Sequence, residues 1–208
     1  LVRLREGTMT VRPLAGTRKL LAEQGDAMAE NMYRMVGDWM RGTEVVLPTE
    51  TVEPGTLEIG GHRLRLLGLS GHTGADLAIF DETTGVLFAG DLVFYERALT
   101  TPNSPGLDVW LADLDVLQAL PFKLVVPGHG PVASDAKPFV QMRAYLTWLD
   151  RIMRDGIAQG ADMNELLRTP IPEQFANVSL SRYELIRSVT HLYPRYEKLG
   201  LDRVDKEL

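Results

Sequence analysis

Apolar residues recur at three- and four-residue spacings through residues 17–40, at Leu20, Leu21, Met28, Met32, Met35, Val36 and Trp39. Glu23, Asp26, Glu30, Arg34 and Asp38 fall mostly between them. That is the period of an amphipathic helix. It predicts one long helix whose apolar stripe, methionines included, packs against the rest of the chain. Gly25 and Gly37 weaken it, each by about 1 kcal/mol relative to alanine, and Gly42 is expected to end it. Ahead of it, residues 9–12 read as a short extended piece before Pro13.

The pattern then changes to period two. Residues 44–47 and 50–52 read as short strand pieces interrupted by Pro48. Residues 57–59 and 62–66 alternate on either side of Gly60-Gly61, a pair that tolerates positive φ, and this predicts a tight hairpin. Residues 76–80 and 86–89 are nearly continuous apolar runs, the pattern of strands buried on both faces. Turn residues at 81–85 join them. The Pro- and Gly-rich stretch 94–108 is expected to be irregular and to border a pocket. Asp108 should cap a helix through Ala119, and residues 122–126 form another buried strand.

The last third is helical. Ser134 is placed to cap a helix ending near Gly156, with Phe139, Met142, Leu146, Leu149, Ile152 and Met153 as its stripe. Asp162 opens a short helix, and Ser179 or Ser181 opens a final one whose end Pro194 perturbs. The helical region 1–42, the strand region 43–131 and the helical region 132–208 together make a single domain. At 208 residues such a domain buries roughly 70% of its unfolded surface.

Composition narrows the function. A net charge of −6 argues against nucleic-acid binding, which needs a basic face. No run approaches the roughly 20 apolar residues of a membrane span, so no membrane partner is expected. The absence of cysteine removes thiolate sites and leaves His, Asp and Glu as metal donors. His72, in Ser70-Gly71-His72-Thr73, follows one apolar run. Asp91, in Ala89-Gly90-Asp91, and His129, in Pro127-Gly128-His129-Gly130-Pro131, follow two others. An imidazole and a carboxylate delivered at neighbouring strand ends suit zinc, iron or manganese. The flanking glycines let the backbone turn sharply there. His62 beside the hairpin turn reads as solvated, and His191 as a packing or solvated residue of the last helix.

Gly71-His72-Thr73, Gly90-Asp91 and Pro127-Gly128-His129-Gly130-Pro131, in that order, resemble the later metal motifs of the metallo-β-lactamase fold. Segment 43–131 is similar throughout. The helical tail resembles the zinc metallohydrolases associated with quinoprotein relay systems. The resemblance implies an α/β (α+β) chain, an αββα sandwich with a dinuclear centre. In it His72 belongs to the first metal, Asp91 bridges both and positions the attacking water, and His129 binds the second. Asp76 would hold a ligand through an outer hydrogen bond. The implied activity is zinc-dependent hydrolysis of an ester, amide or thioester-like bond in a small molecule. A mononuclear iron enzyme of the persulfide type is the oxidoreductase alternative, and a periplasmic location is what the family suggests.

The fold's first motif, His-X-His-X-Asp-His, is absent, since the histidines are His62, His72, His129 and His191 alone. Much of the first sheet is expected to be absent with it. Residues 1–12 read as a chain beginning in mid-sequence, so the motif is expected upstream of Leu1. Two other expectations stand beside that one. The chain could complete its site as a homodimer or strand-exchanged oligomer, or it could be a non-catalytic binding module.

Overall fold

A computed structural model describes residues 10–200. The hairpin forms where the sequence predicts it. Strand β1 (Gly55–Ile59) and strand β2 (His62–Leu69) pair in register from Gly55↔Leu66 to Ile59↔His62. Gly60 and Gly61 between them take φ of 60° and 81°, conformations open to glycine at no steric cost. β3 (Asp76–Asp81) and β4 (Val86–Phe94) continue the antiparallel meander. A crossover through helix α2 (Leu107–Gln118) then returns β5 (Leu124–His129) parallel to β4. The sheet order is β1-β2-β3-β4-β5. β5 is longer than expected and carries Pro127, Gly128 and His129 within it.

The two faces of this sheet have different fates. Phe80, Leu87 and Val125 share one face. They are buried with Trp110, Leu114 and Leu117 of α2 and with Phe139, Met142, Leu146 and Leu149 of α3 (Lys137–Ala158). The opposite face aligns Leu66, Ile79, Phe88 and Val126 in one row and Leu64, Asp81, Val86 and Leu124 in the next. It is open towards β4 and β5: Phe88 is 46% exposed and Leu124 40%, while Leu66 and Asp81 on β2 and β3 are buried. The expectation of strands buried on both faces is therefore met on the helical side only. The architecture is one half of a sandwich, a sheet with helices on one face.

Helix α1 (Ala15–Val36) corrects a second expectation. Its apolar stripe does not pack on the chain, for Met35 is 58% exposed and Gly25 is its one buried residue. Its described contacts lie towards its start and at Gly25, which faces Val45. Leu14 is buried, the Thr17 hydroxyl donates to the Ala75 carbonyl at 2.8 Å, and the Arg18 Nε–H donates to Pro48 O at 2.7 Å. The helix ends at Gly37, at φ 56°, before Gly42, and a 3-10 turn (Gly37–Met40) follows. Residues 44–47 and 50–52 form no strand. Val52 makes one isolated bridge to Leu14, and residues 10–12 are irregular, with Met9 outside the described residues.

In the helical tail, α4 (Met163–Leu167) begins on the predicted Asp162, in a full capping box with Glu165. α3 and α2 start after Ala136 and Gly106, so neither Ser134 nor Asp108 makes the expected cap. α5 (Ser181–Gly200) runs straight through Pro194. An interior proline removes one backbone hydrogen bond, but burial of Leu185, Val189 and Leu192 holds this helix to the core. No described helix is long and apolar enough to cross a membrane.

Candidate metal centre

The carboxyl ends of β2, β4 and β5 lie on one edge of the sheet, and the loop after β2 is built from below. Asp113 of α2 is a buried carboxylate whose Oδ2 accepts the Ser70 and Gly71 N–H groups at 2.8 and 2.7 Å. The Ser104 hydroxyl donates to Gly71 O at 2.7 Å. Gly71 lies so close to α2 that a Cβ there would stand 2.7 Å from the Trp110 Cα. Asp76 closes the loop, accepting the N–H groups of His72 and Thr73 at 2.9 and 2.8 Å and the Thr73 hydroxyl at 2.5 Å.

These contacts leave the His72 imidazole between aromatic rings, with centroids 5.9 Å from Phe94 and 5.5 Å from Trp110. The Trp110 Nε1–H is itself tied to Leu92 O at 2.9 Å. β4 and β5 fall out of register between Phe88 and Gly90 and again between Gly90 and Phe94, which brings Asp91 out of the regular pleat. Gly128 is what lets Asp91 sit there, because a Cβ at 128 would run into the Asp91 carboxylate. His129 stacks on Phe94, with 4.8 Å between centroids and 21° between planes.

Asp91 lies between the two histidines. Its Oδ2 is 4.0 Å from His72 Nδ1 and its Oδ1 is 3.5 Å from His129 Nε2. Burial pushes the His72 pKa below the usual imidazole value, against the pull of Asp91 and Asp76, and His129 and Arg97 reinforce the shift. A depressed pKa keeps the ring neutral and its lone pair free, which is the form that binds a metal.

Zinc takes nitrogen and oxygen ligands at about 2.0–2.2 Å, so two ligands on one tetrahedral ion lie roughly 3.4 Å apart. The Asp91–His129 pair matches that spacing and the Asp91–His72 pair is wider. Among the described residues, no three His, Cys, Asp or Glu side chains are arranged to hold one ion. The two imidazoles address different oxygens of one carboxylate instead of converging on one point. The donors fit two edges of a metal site that share Asp91, and they do not close it.

Asp76 approaches the His72 ring only at 3.9 Å, and its hydrogen bonds go to the loop backbone and the Thr73 hydroxyl. His62 lies elsewhere, with Nδ1 2.7 Å from Asp81 Oδ2, so it is hydrogen-bonded as well as half-exposed. His191 is exposed on α5.

Three supporting residues escaped the sequence reading. Asp113 had a signal, a carboxylate inside the stripe of Trp110, Leu114 and Leu117. Arg97 and Glu184 had none. They are 87 positions apart, yet the Arg97 Nη2–H donates to the fully buried Glu184 at 3.1 Å while the same guanidinium lies 5.3 Å over the Phe94 ring.

The metallo-beta-lactamase superfamily model matches residues 17–129, more than half of the chain and all three donors. The chain belongs to the metallo-beta-lactamase superfamily. Solved structures agree on the fold. The metallo-beta-lactamase from Pontibacter korlensis is similar at 25% identity and TM-score 0.55, over 70% of this chain and 61% of that one. A metallo-beta-lactamase family protein from Thermus thermophilus is similar at 21% identity and TM-score 0.61, over 95% of this chain and 70% of that one. A stereoselective inverting sec-alkylsulfatase from Pseudomonas sp. is similar at 17% identity and TM-score 0.67, over 98% of this chain and 38% of that one. This superfamily member thus spans 61% of the Pontibacter protein's length.

Proposed function

We infer that this chain carries part of the centre of a metal-dependent hydrolase acting on an ester, amide or thioester-like bond of a small molecule. The observation that supports the reading best is the position of Asp91, within 3.5 and 4.0 Å of His129 and His72. His72, Asp91 and His129 would hold the metal, with zinc the first choice for a nitrogen–oxygen donor set. A bound zinc ion supplies Lewis acidity and activates water near neutral pH.

The chain's own residues do the positioning. Burial keeps His72 neutral, Phe94 fixes the plane of His129, and Asp113 with Ser104 sets the loop that carries His72. Asp91 is the residue through which the two histidines are linked, so it is the one to remove first. Elemental analysis of protein purified without chelator should find about one equivalent of zinc per chain. Asp91→Ala should lower that to background, and zinc-stimulated ester hydrolysis should disappear with it. A chain that takes up no metal on supplementation, or an Asp91→Ala variant that keeps it, refutes the reading.

A second reading is self-association. It is favoured by the open sheet face around Phe88 and Leu124, apolar surface that a second copy of the chain would cover.

A further inference from the structure

The loop that carries His72 does not end at the metal donors. Thr73 and Gly74 form the head of a cavity of about 340 Å³ whose wall is the face of α1 that presents Leu20, Leu21 and Met28. A second cavity, of about 650 Å³, shares Gln24, Met28 and Asn103 with the first. It continues between Met35 of α1 and Tyr183, Arg187 and His191 of α5. Together they make one groove leading away from His72. From Leu20 to Met28 the helix advances about 12 Å.

The two ends of the groove differ in chemistry. Near Thr73 the wall is leucine and methionine, flexible apolar surface suited to an aliphatic chain. At the far end the charges do not balance. Glu184 is completely buried and accepts from Arg97 at 3.1 Å and from Arg187 at 3.2 Å, so two guanidinium groups share one carboxylate. Arg187 lies 5.6 Å over the Tyr183 ring and opens onto the groove beside His191. No carboxylate among the described residues lines either cavity, in a chain whose net charge is −6. A cationic end on an apolar trough is complementary to an aliphatic anion.

We propose that this groove binds the arm of the substrate remote from the scissile bond, and that this arm is an aliphatic segment ending in a carboxylate held at Arg187. That the ligand is a substrate rests on the hydrolase reading above; the binding does not, because none of the groove residues is a metal donor. The test is isothermal titration calorimetry of the whole metal-free chain with decanoate, decyltrimethylammonium and acetate. Decanoate should bind saturably while acetate and the cation do not.

Arg187→Ala should weaken decanoate about tenfold, the loss of one charge-assisted contact, and Arg187→Lys should restore most of it. Removing Arg187 leaves Glu184 paired with Arg97 alone, so a second variant guards against misfolding. Met28→Glu lies on an exposed helix face and should abolish binding by placing a like charge in the trough. His72→Ala should leave decanoate affinity unchanged. Absence of zinc-dependent turnover in the unmodified chain, with decanoate binding intact, would therefore count against the hydrolase reading and not against the groove. Absence of decanoate binding, equal binding of the cation, or indifference to either Arg187→Ala or Met28→Glu overturns the proposal.

Discussion

Asp113 bears more of the candidate site than its distance from the ligands suggests. One buried oxygen accepts two consecutive backbone N–H groups just before His72, groups that would otherwise be stranded against Trp110. Leaving buried donors unsatisfied costs about 1–3 kcal/mol. Asp113→Ala should lose about that much stability in a denaturant titration, and Asp113→Asn, which keeps an acceptor oxygen, should lose less. Metal affinity should fall in the same order, since the His72 loop is what these bonds define. Equal stability of all three proteins would remove Asp113 from this role. At this scale the sequence was readable where glycine was involved. The glycines beside His72 and His129 read as places for sharp turns, whereas Gly71 and Gly128 sit where a side chain would strike Trp110 or Asp91. The hydrogen-bonding role of Asp76 was not readable, because a carboxylate four residues after a histidine can serve either the ring or the backbone, and here the backbone won.

Among the elements, the β3–β4 turn shows how one residue can organise a connection. Asp81 is a buried carboxylate at the end of β3. It accepts from the Thr84 hydroxyl at 2.6 Å and the Thr83 N–H at 2.9 Å, and it meets His62 of the neighbouring β2 at 2.7 Å. The Thr84 hydroxyl above all, helped by His62 and the turn N–H groups, draws its pKa from 3.8 to about 2. A carboxylate depressed in the folded state is ionised there while the unfolded chain is already taking up protons. Its stabilisation is complete above about pH 4 and is lost as pH falls towards 2. Acid unfolding followed by circular dichroism should therefore be steeper between pH 4 and 2 in the wild type than in Asp81→Asn. Parallel curves would show that this carboxylate contributes nothing. Element identity was legible because the β hairpin, the meander and the long helices repeat their periods over several turns or pairs. Ends were less so. Ser134 and Asp108 have the chemistry of caps, but the chain reaches α3 and α2 from directions that leave Ala136 and Gly106 at the cap position.

At the scale of the whole molecule the governing fact is that, among the described residues, the helices of the core pack on one side of the sheet. Phe88 and Leu124 stand on the other, and burying their apolar surface would contribute roughly 25 cal/mol for each Å² removed from water. If a second copy covers it, multi-angle light scattering should give the mass of a dimer, and Phe88→Glu should give a monomer. A wild-type monomer at high concentration would exclude self-association through this face. From the sequence alone came the period-two and period-3.6 segments, the Gly60-Gly61 hairpin, and the three candidate donors His72, Asp91 and His129 beside apolar runs. These are local matters, set by side-chain alternation, by backbone freedom at glycine and by the chemistry of the donor groups. Only the tertiary structure decided that the methionine stripe of α1 faces a groove instead of a core. It alone decided that Arg97, Glu184 and Arg187 meet, and that two imidazoles take opposite oxygens of Asp91 without closing around one ion. Those outcomes depend on where elements distant in sequence come to rest against one another, and periodicity within a segment carries no record of its neighbours.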